Sequence, residues 1–262
     1  MKNSLSIPKE VRELIRQNKY DFPTSGIAPG FLQTNLVILP ESLAFDFLLF
    51  CSRNPAPCPL IEVIEAGKFE ARETAPGSDL RTDLPRYRIF KNGHFVEEQT
   101  NILSYWQDDF VSFLIGCSFT FESELLRSGI PLRHIEENKN VSMYITNRDT
   151  KPAGIFRGKE VVSMRPVHRS NLVKAVQITS RFPSVHGAPV HIGDPAAIGI
   201  KDLASPDYGD AVTFKSGEIP VFWACGVTPQ QVALTSKPNL MISHAPGHMF
   251  ITDLSDLSKA VF

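Results

Sequence analysis

Residues Ile219–Ser236 read "IPVFWACGVTPQQVALTS", and the two halves of this stretch obey different rules. The first half is a continuous apolar run, as a strand buried on both faces requires. Gly226 ends the run. Thr228 then suits a helix N-cap, Pro229 the first helical position, and Gln231 the place where a capping box wants an amide. A strand end therefore feeds a helix N-terminus. "APVHIGDPAAIG" at 188–199 repeats the device, with Asp194 as cap and Pro195 in the first turn.

Working outward, the same alternation recurs. "LQTNLVIL" (32–39) reads as a strand, and Pro40 opens "PESLAFDFLLFCSRN", whose apolar positions keep helical spacing until Asn54-Pro55. Upstream, Pro8 with Val11, Leu14 and Ile15 marks an amphipathic helix. "LPRYRIFKNGHFV" (84–96) is a hairpin turning at Asn92-Gly93. In "YWQDDFVSFLIGCSFTFESELLRSGI" (105–130), Trp106, Phe110, Phe113, Leu114, Cys117, Phe121 and Leu125 recur at three or four, which predicts one helix or two broken near Gly116. "VSMYITN" and "GKEVVSMRPV" are short strands, and "SNLVKAVQITSRFP" is a helix that Pro183 stops. The class expected is α/β, a mixed sheet flanked by helices. Residues 1–129 with 186–262 would form the main body and 130–185 a smaller α+β subdomain.

Composition narrows the function. With 42% hydrophobic residues, 21% charged residues and a net charge of -1 over 262 residues, the chain is an ordinary globular protein with no electrostatic footprint for nucleic acid or a membrane surface. Its longest apolar runs fall short of the roughly 20 residues that a membrane helix needs. "MKNSLSIPKEVRELIRQNKY" lacks the apolar core of a secretory signal, so the cytoplasm is the expected compartment. The four cysteines, at 51, 58, 117 and 225, have no CxxC spacing and are expected to be free thiols. Walker, GxGxxG, HExxH and GxSxG motifs are absent.

Chemistry is sought where strands end, because helix N-termini offer unpaired N–H groups and favour anions. "HGAPVHIGDP" brings His186, His191 and Asp194 to one such place, and metal, acid/base and structural readings stay open there. Spacing of five residues between the histidines is not that of a helical zinc pair, although Asp194, His244 or His248 could complete a cluster in space. "ACGVTPQ" supplies Gly226, Thr228 and Gln230 as a second wall, and "MISHAPGHMF" adds His244 in a third polar loop. Cys117 after Gly116, and Cys225 before Gly226, are either nucleophile candidates or small core side chains. The cluster "SDLRTDLPRYR", holding Arg81, Arg86 and Arg88, and Arg165 at the end of "VVSMR" could grip carboxylates bidentately. Of Glu122 and Glu124 on "FESELL", one could face inward as a base and the other solvent.

Together "APGFLQTNLVILP", "DLRTDLPRYR", "FLIGCSFTFE", "VVSMRP", "HGAPVHIGDP", "VFWACGVTPQ" and "HAPGHMFITD" resemble, in order and over nearly the whole chain, the bacterial "putative hydro-lyase" family grouped with the D-glutamate cyclases. The resemblance implies a lyase that eliminates water. Related mitochondrial proteins join a similar module to a second one and convert D-glutamate to 5-oxo-D-proline. Lactam formation needs a deprotonated amine, a polarised γ-carboxyl and a proton for the departing water. His191 or His186 would be base and acid, oriented by Asp194. N–H groups from Gly226 to Gln230 would hold the oxyanion, and Arg165 or Arg81 the α-carboxylate. No cofactor or metal is expected, and the partner is a small carboxylate or amino acid. The competing expectations are a protein that binds 5-oxoproline or a similar carboxylate without transforming it, and a lyase acting on another small hydroxy acid.

Overall fold

The computed structural model describes residues 5–261. Its elements, in chain order, are α1 (Pro8–Arg16), β1 (Phe31–Pro40), α2 (Glu41–Arg53), β2 (Leu60–Ile64), β3 (Tyr87–Lys91), β4 (His94–Gln99), β5 (Phe110–Gly116), α3 (Phe119–Arg127), α4 (Arg133–Glu136), β6 (Ser142–Asp149), β7 (Lys159–His168), α5 (Leu172–Ser180), β8 (His191–Ile192), β9 (Glu218–Ala224), α6 (Thr228–Ser236), β10 (Leu240–His244) and β11 (Phe250–Ser255). Seven strands form one sheet in the order β2-β5-β1-β10-β3-β4, with β11 also on β1. A second sheet runs β6-β7-β9-β8. Helices flank both sheets, as the α/β class requires. Every ladder between these strands is antiparallel, so strand ends point both ways and no single edge collects them.

Strand β1 is the axis of the large sheet. On one side β5 pairs with it from Thr34 to Pro40. On the other, β11 takes its first half (Thr34 opposite Phe250) and β10 its second (Val37 opposite Ser243). The two faces of β1 feed two cores. Val37 and Leu39 meet Phe47, Phe50 and Cys51 of α2, while Leu36 and Ile38 meet Ala71, Leu80, Leu84 and Ile102 of the long excursion between β2 and β5. Each buried Phe or Leu stabilises the fold by about 1.5–3 kcal/mol. A third core joins the sheets: Val167, Val221 and Trp223 pack on Phe121 and Leu125 of α3 and Ala175 of α5.

Residues 105–130 correct the helical reading. Phe110–Gly116 is a strand buried at all seven positions, and the helix begins only at Phe119. When both faces of a strand are covered, nearly every position is apolar, and a spacing of three or four appears by accident. The start of α6 also shifts by one residue. Val227 occupies the cap position, and the Thr228 hydroxyl instead donates to Cys225 O (2.7 Å) and accepts from Val161 N (3.1 Å), tying the helix to β7. Asp194 does cap as expected, its carboxylate accepting from Ala196 N at 3.0 Å.

Gly116 closes β5 against the turn at 183–185. A Cβ there would stand 2.0 Å from Ser184 O and 2.9 Å from Val185 Cγ1, with backbone rather than a flexible tip in the way. Gly116→Ala is therefore expected to cost about 2–3 kcal/mol, measured as a lower urea midpoint. A loss below about 0.5 kcal/mol, the range of neutral surface substitutions, would mean the two segments part freely.

Candidate functional site

A polar cavity of ≈ 300 Å³ lies where β3, the β10–β11 loop and the segment before β9 converge, lined by Arg88, Glu98, Asn140, Asp207, Tyr208 and His248 among others. Arg88 reaches it because its neighbours Tyr87 and Ile89 turn into the core on the opposite face of β3. Its Nε donates to Glu98 Oε1 (2.9 Å), its Nη1 lies 3.5 Å from Gln230 Oε1, and the guanidinium stands 5.8 Å from the Tyr208 ring centre. Gln230 is itself held, its Nε2 donating to His244 O at 2.8 Å.

His248 is set up as a neutral acceptor. Its Nδ1 donates to Pro246 O (3.0 Å), which leaves the lone pair on Nε2. Burial pushes its pKa below the ordinary imidazole value. Tyr208 is fixed by two backbone bonds to Met143, and burial raises its hydroxyl, so it stays a donor. Asn140 Nδ2 donates to Pro246 O (3.0 Å), and a Cβ on Gly247 would fall 2.3 Å from Asn140 Oδ1. The loop carrying His248 is thereby pinned to the wall opposite.

Behind this pocket the sheets enclose a buried ionic network. Arg165 donates from Nε (3.0 Å) and Nη2 (2.5 Å) to Glu122 Oε1, from Nη2 to Ser118 Oγ (3.0 Å) and from Nη1 to Ser163 Oγ (3.1 Å). His134 Nε2 lies 3.2 Å from Glu122 Oε1, and Ser25 Oγ donates to Glu122 Oε2 at 3.1 Å. Burial works to raise the Glu122 carboxyl, but His134 and Arg165 override it and hold it at about 2.

The residues singled out in the sequence fall into three places. Glu122, Arg165 and Cys117 meet around the network, and Cys225, Gly226, Thr228 and Gln230 line up at the start of α6. Burial pushes both thiols up, Cys225 to about 11, so neither is a thiolate at neutral pH. Gly226 lies flat on Asn35, whose Nδ2 a Cβ would meet at 2.0 Å. Two of the N–H groups expected to cradle an oxyanion are already committed, Thr228 N to Cys225 O and Gln230 N to Val227 O. His244 fills the gap in the β1 ladder, with Nδ1 3.3 Å from both N and O of Leu36.

The remaining residues stand apart from both clusters. His186 donates to Ala56 O at 2.8 Å. His191 Nε2 donates to Asp194 O (2.7 Å) on the edge strand β8, so the Asp194 group facing the imidazole is its main-chain carbonyl, while the carboxylate caps Ala196. Arg81 grips Asp79 and lies over Phe69, 3.6 Å from the ring centre. Of the pocket's own residues, Arg88 and His248 were visible in the arginine run and in "HAPGHMF". Asn140 and Tyr208 carry no sequence signal, because each is a single residue from a connecting segment. Among the described residues, no group of three or more His, Cys, Asp or Glu could hold a metal ion, and no helix is long and apolar enough to cross a membrane.

The model of the D-glutamate cyclase family matches residues 111–253. The chain belongs to the D-glutamate cyclase family. Its relatives are bacterial proteins named "Putative hydro-lyase". One from Thermoanaerobacter sp. is 63% identical over 249 residues, covering 95% of this chain and 94% of its own length. Those of Geobacillus kaustophilus (60%; 95% and 94%) and Bacillus subtilis (59%; 97% and 99%) match as fully. By family the protein is an enzyme, a lyase. The family segment spans β5 to β11 and contains Asn140, Tyr208, His248, Glu122, His134 and Arg165, whereas Arg88 and Ser25 lie outside it. A nitrogen repressor-like protein of Methanococcus jannaschii aligns with a TM-score of only 0.39 at 12% identity, over 89% of this chain and 90% of that one.

Buried neutral histidines make stability depend on pH. Burial lowers His186 to about 4 and His244 to about 3, so below about 6.5 the unfolded chain takes up protons that the folded one refuses. Their contribution is whole above that pH and is lost as pH falls toward 4. Each histidine should remove up to about 1.4 kcal/mol per pH unit in this window. Urea midpoints at pH 7.5 and 5.0 test it, and equal values at both would contradict the burial of these rings.

Proposed function

We propose that the protein closes an acyclic amino dicarboxylate into its lactam with loss of water, D-glutamate to 5-oxo-D-proline, in the Arg88–Tyr208–His248 pocket. The observation that carries this reading is one small cavity offering both charge signs and a neutral imidazole. An amino acid zwitterion needs a cation for its α-carboxylate and anionic surroundings for its ammonium; Arg88 supplies the first, Asp207 and Glu98 the second.

The proton ledger closes without a cofactor. Nε2 of His248 takes a proton from the ammonium, and the freed amine attacks the γ-carboxyl carbon. The Tyr208 hydroxyl donates to the oxygen on which charge develops. As the C–O bond breaks, two protons originating on the ammonium leave with that oxygen as water, and one N–H remains in the ring. Gln230 acts behind Arg88 rather than on substrate, which gives its buried amide a role in aiming the guanidinium.

Proton NMR of the purified protein with D-glutamate, L-glutamate and each 5-oxoproline enantiomer tests the reading in both directions of the reaction. Turnover confined to the D series is expected. His248→Gln should lower kcat by about 10²-fold or more, and Arg88→Met should act mainly on KM. The acid limb of kcat/KM should fall below pH 6.5, because burial lowers His248. No turnover by folded wild type, or an unimpaired His248→Gln, would remove this reaction from this pocket; calorimetric binding of 5-oxoproline without chemical change would then favour a carrier.

A further inference from the structure

Helix α2 buries one side and leaves the other bare. Phe47, Phe50 and Cys51 pack into the core with Val37, Leu39 and Phe113 of the large sheet. Glu41, Phe45, Leu48 and Ser52 are exposed, and at about 100° per residue they fall within an arc of about 60° on the far side. Phe45 is 74% exposed and Leu48 40%.

Residues 151–156 widen this apolar patch. They run antiparallel beside α2: Lys151 N donates to Asn54 Oδ1 (2.8 Å), Arg53 Nη1 donates to Pro152 O, and a Cβ on Gly154 would stand 1.8 Å from Asp46 Oδ2. Ile155, 40% exposed, is the next residue on that flank. Adjoining apolar side chains held in water by rigid elements mark a contact surface.

The order of residues along the stripe selects what covers it. From its start the stripe reads acid, Phe, Leu, hydroxyl, and the next position is the basic Arg53. Glu41 joins no ion pair among the described residues, and the guanidinium of Arg53 keeps further N–H groups beyond the one given to Pro152 O. Such a stripe complements its own inverted copy, which is what a twofold contact requires. A parallel copy would instead set Glu41 against Glu41.

We propose that α2 and residues 151–156 form the contact of a homodimer, two copies meeting across a twofold axis with their α2 helices antiparallel. Phe45 then faces Leu48 of the partner subunit, and Leu48 faces Phe45 of the partner subunit. Glu41 comes opposite Ser52 of the partner subunit, within reach of Arg53 of the partner subunit. The contact does not depend on which reaction the Arg88 pocket performs.

Sedimentation velocity and light scattering of the full chain at about 0.1 mM, roughly a hundredfold above a micromolar dissociation constant, should give twice the 29.2 kDa of one chain. Phe45→Asp and, independently, Leu48→Asp should each give the single-chain mass, with circular dichroism reporting that both are folded. Both side chains are exposed, so neither substitution opens the core. Glu41→Arg and Arg53→Glu, taken singly, should raise the dissociation constant about tenfold or more, and the two together should return it to within about threefold of wild type. The double reversal sets both charges against the helix dipole, so its recovery would not come from a steadier helix. A monomeric wild type, dimers that survive both aspartate variants, or a double reversal as weak as the weaker single variant would overturn the proposal.

Discussion

Strand β1 can lie in the middle of the protein only if its backbone groups find partners, because an unpaired buried N–H or C=O costs about as much as the hydrogen bond it forgoes. One edge is satisfied by β5 along most of the strand. The other is divided between β11 and β10, and the division leaves a step at Asn35–Leu36. The imidazole of His244 occupies that step, next to the Leu36 peptide groups. Everything downstream follows from this geometry. Since β10 and β11 share one edge of β1, the chain between them must loop out within Ala245–Met249, and that short loop projects His248 into the Arg88 pocket.

The two sheets are joined across a layer that is not wholly apolar. Arg165 and Glu122 sit between the core around Trp223 and Phe121 and the core around Met143 and Cys225. Burying two charges costs several kcal/mol per ion after relaxation, and mutual attraction offsets this only where the remaining polar atoms are also bonded. Here Ser118 and Ser163 complete the guanidinium, while Ser25 and His134 complete the carboxylate. Geometry this specific favours one relative placement of the sheets, which greasy packing alone would leave looser. It also passes structure outward, since Ser25 belongs to the arm whose next residue back, Thr24, clamps the His248 loop.

Antiparallel pairing explains why the site is a loop-built pocket. In a parallel sheet the strand ends collect on one edge and ligands settle there. In this fold Arg88 comes from within a strand, His248 from the loop between two strands that follow one another in the same direction along one edge of β1, and Asn140 and Tyr208 from connections beside the second sheet. The helix N-terminus of α6 backs the pocket through Gln230 instead of opening into it. Its early N–H groups are turned to Cys225 and Val227, so its contribution is the placement of side chains more than the binding of charge.

Much of the local architecture was legible in the residues alone: the Asn92-Gly93 hairpin, the helix after Pro40, the cap at Asp194 and the strand-to-helix device at 219–236 all follow from turn chemistry, capping and periodicity. Gly226, Gln230, Glu122 and Arg165 stood out for the same local reasons, and they occupy the layer behind the pocket and the buried network. Phe110–Gly116 carries no strand signal because a strand covered on both faces loses the alternation that identifies it. What only the tertiary structure decided is partnership. Sequence spacing could not reveal that His244 would be consumed by the backbone of β1, that His191 would turn to its own neighbour's carbonyl, or that Asn140, Tyr208 and His248 would meet Arg88. The pocket residues stand 40 to 160 positions apart and His244 lies 208 positions from Leu36, separations that only the pairing of distant strands closes.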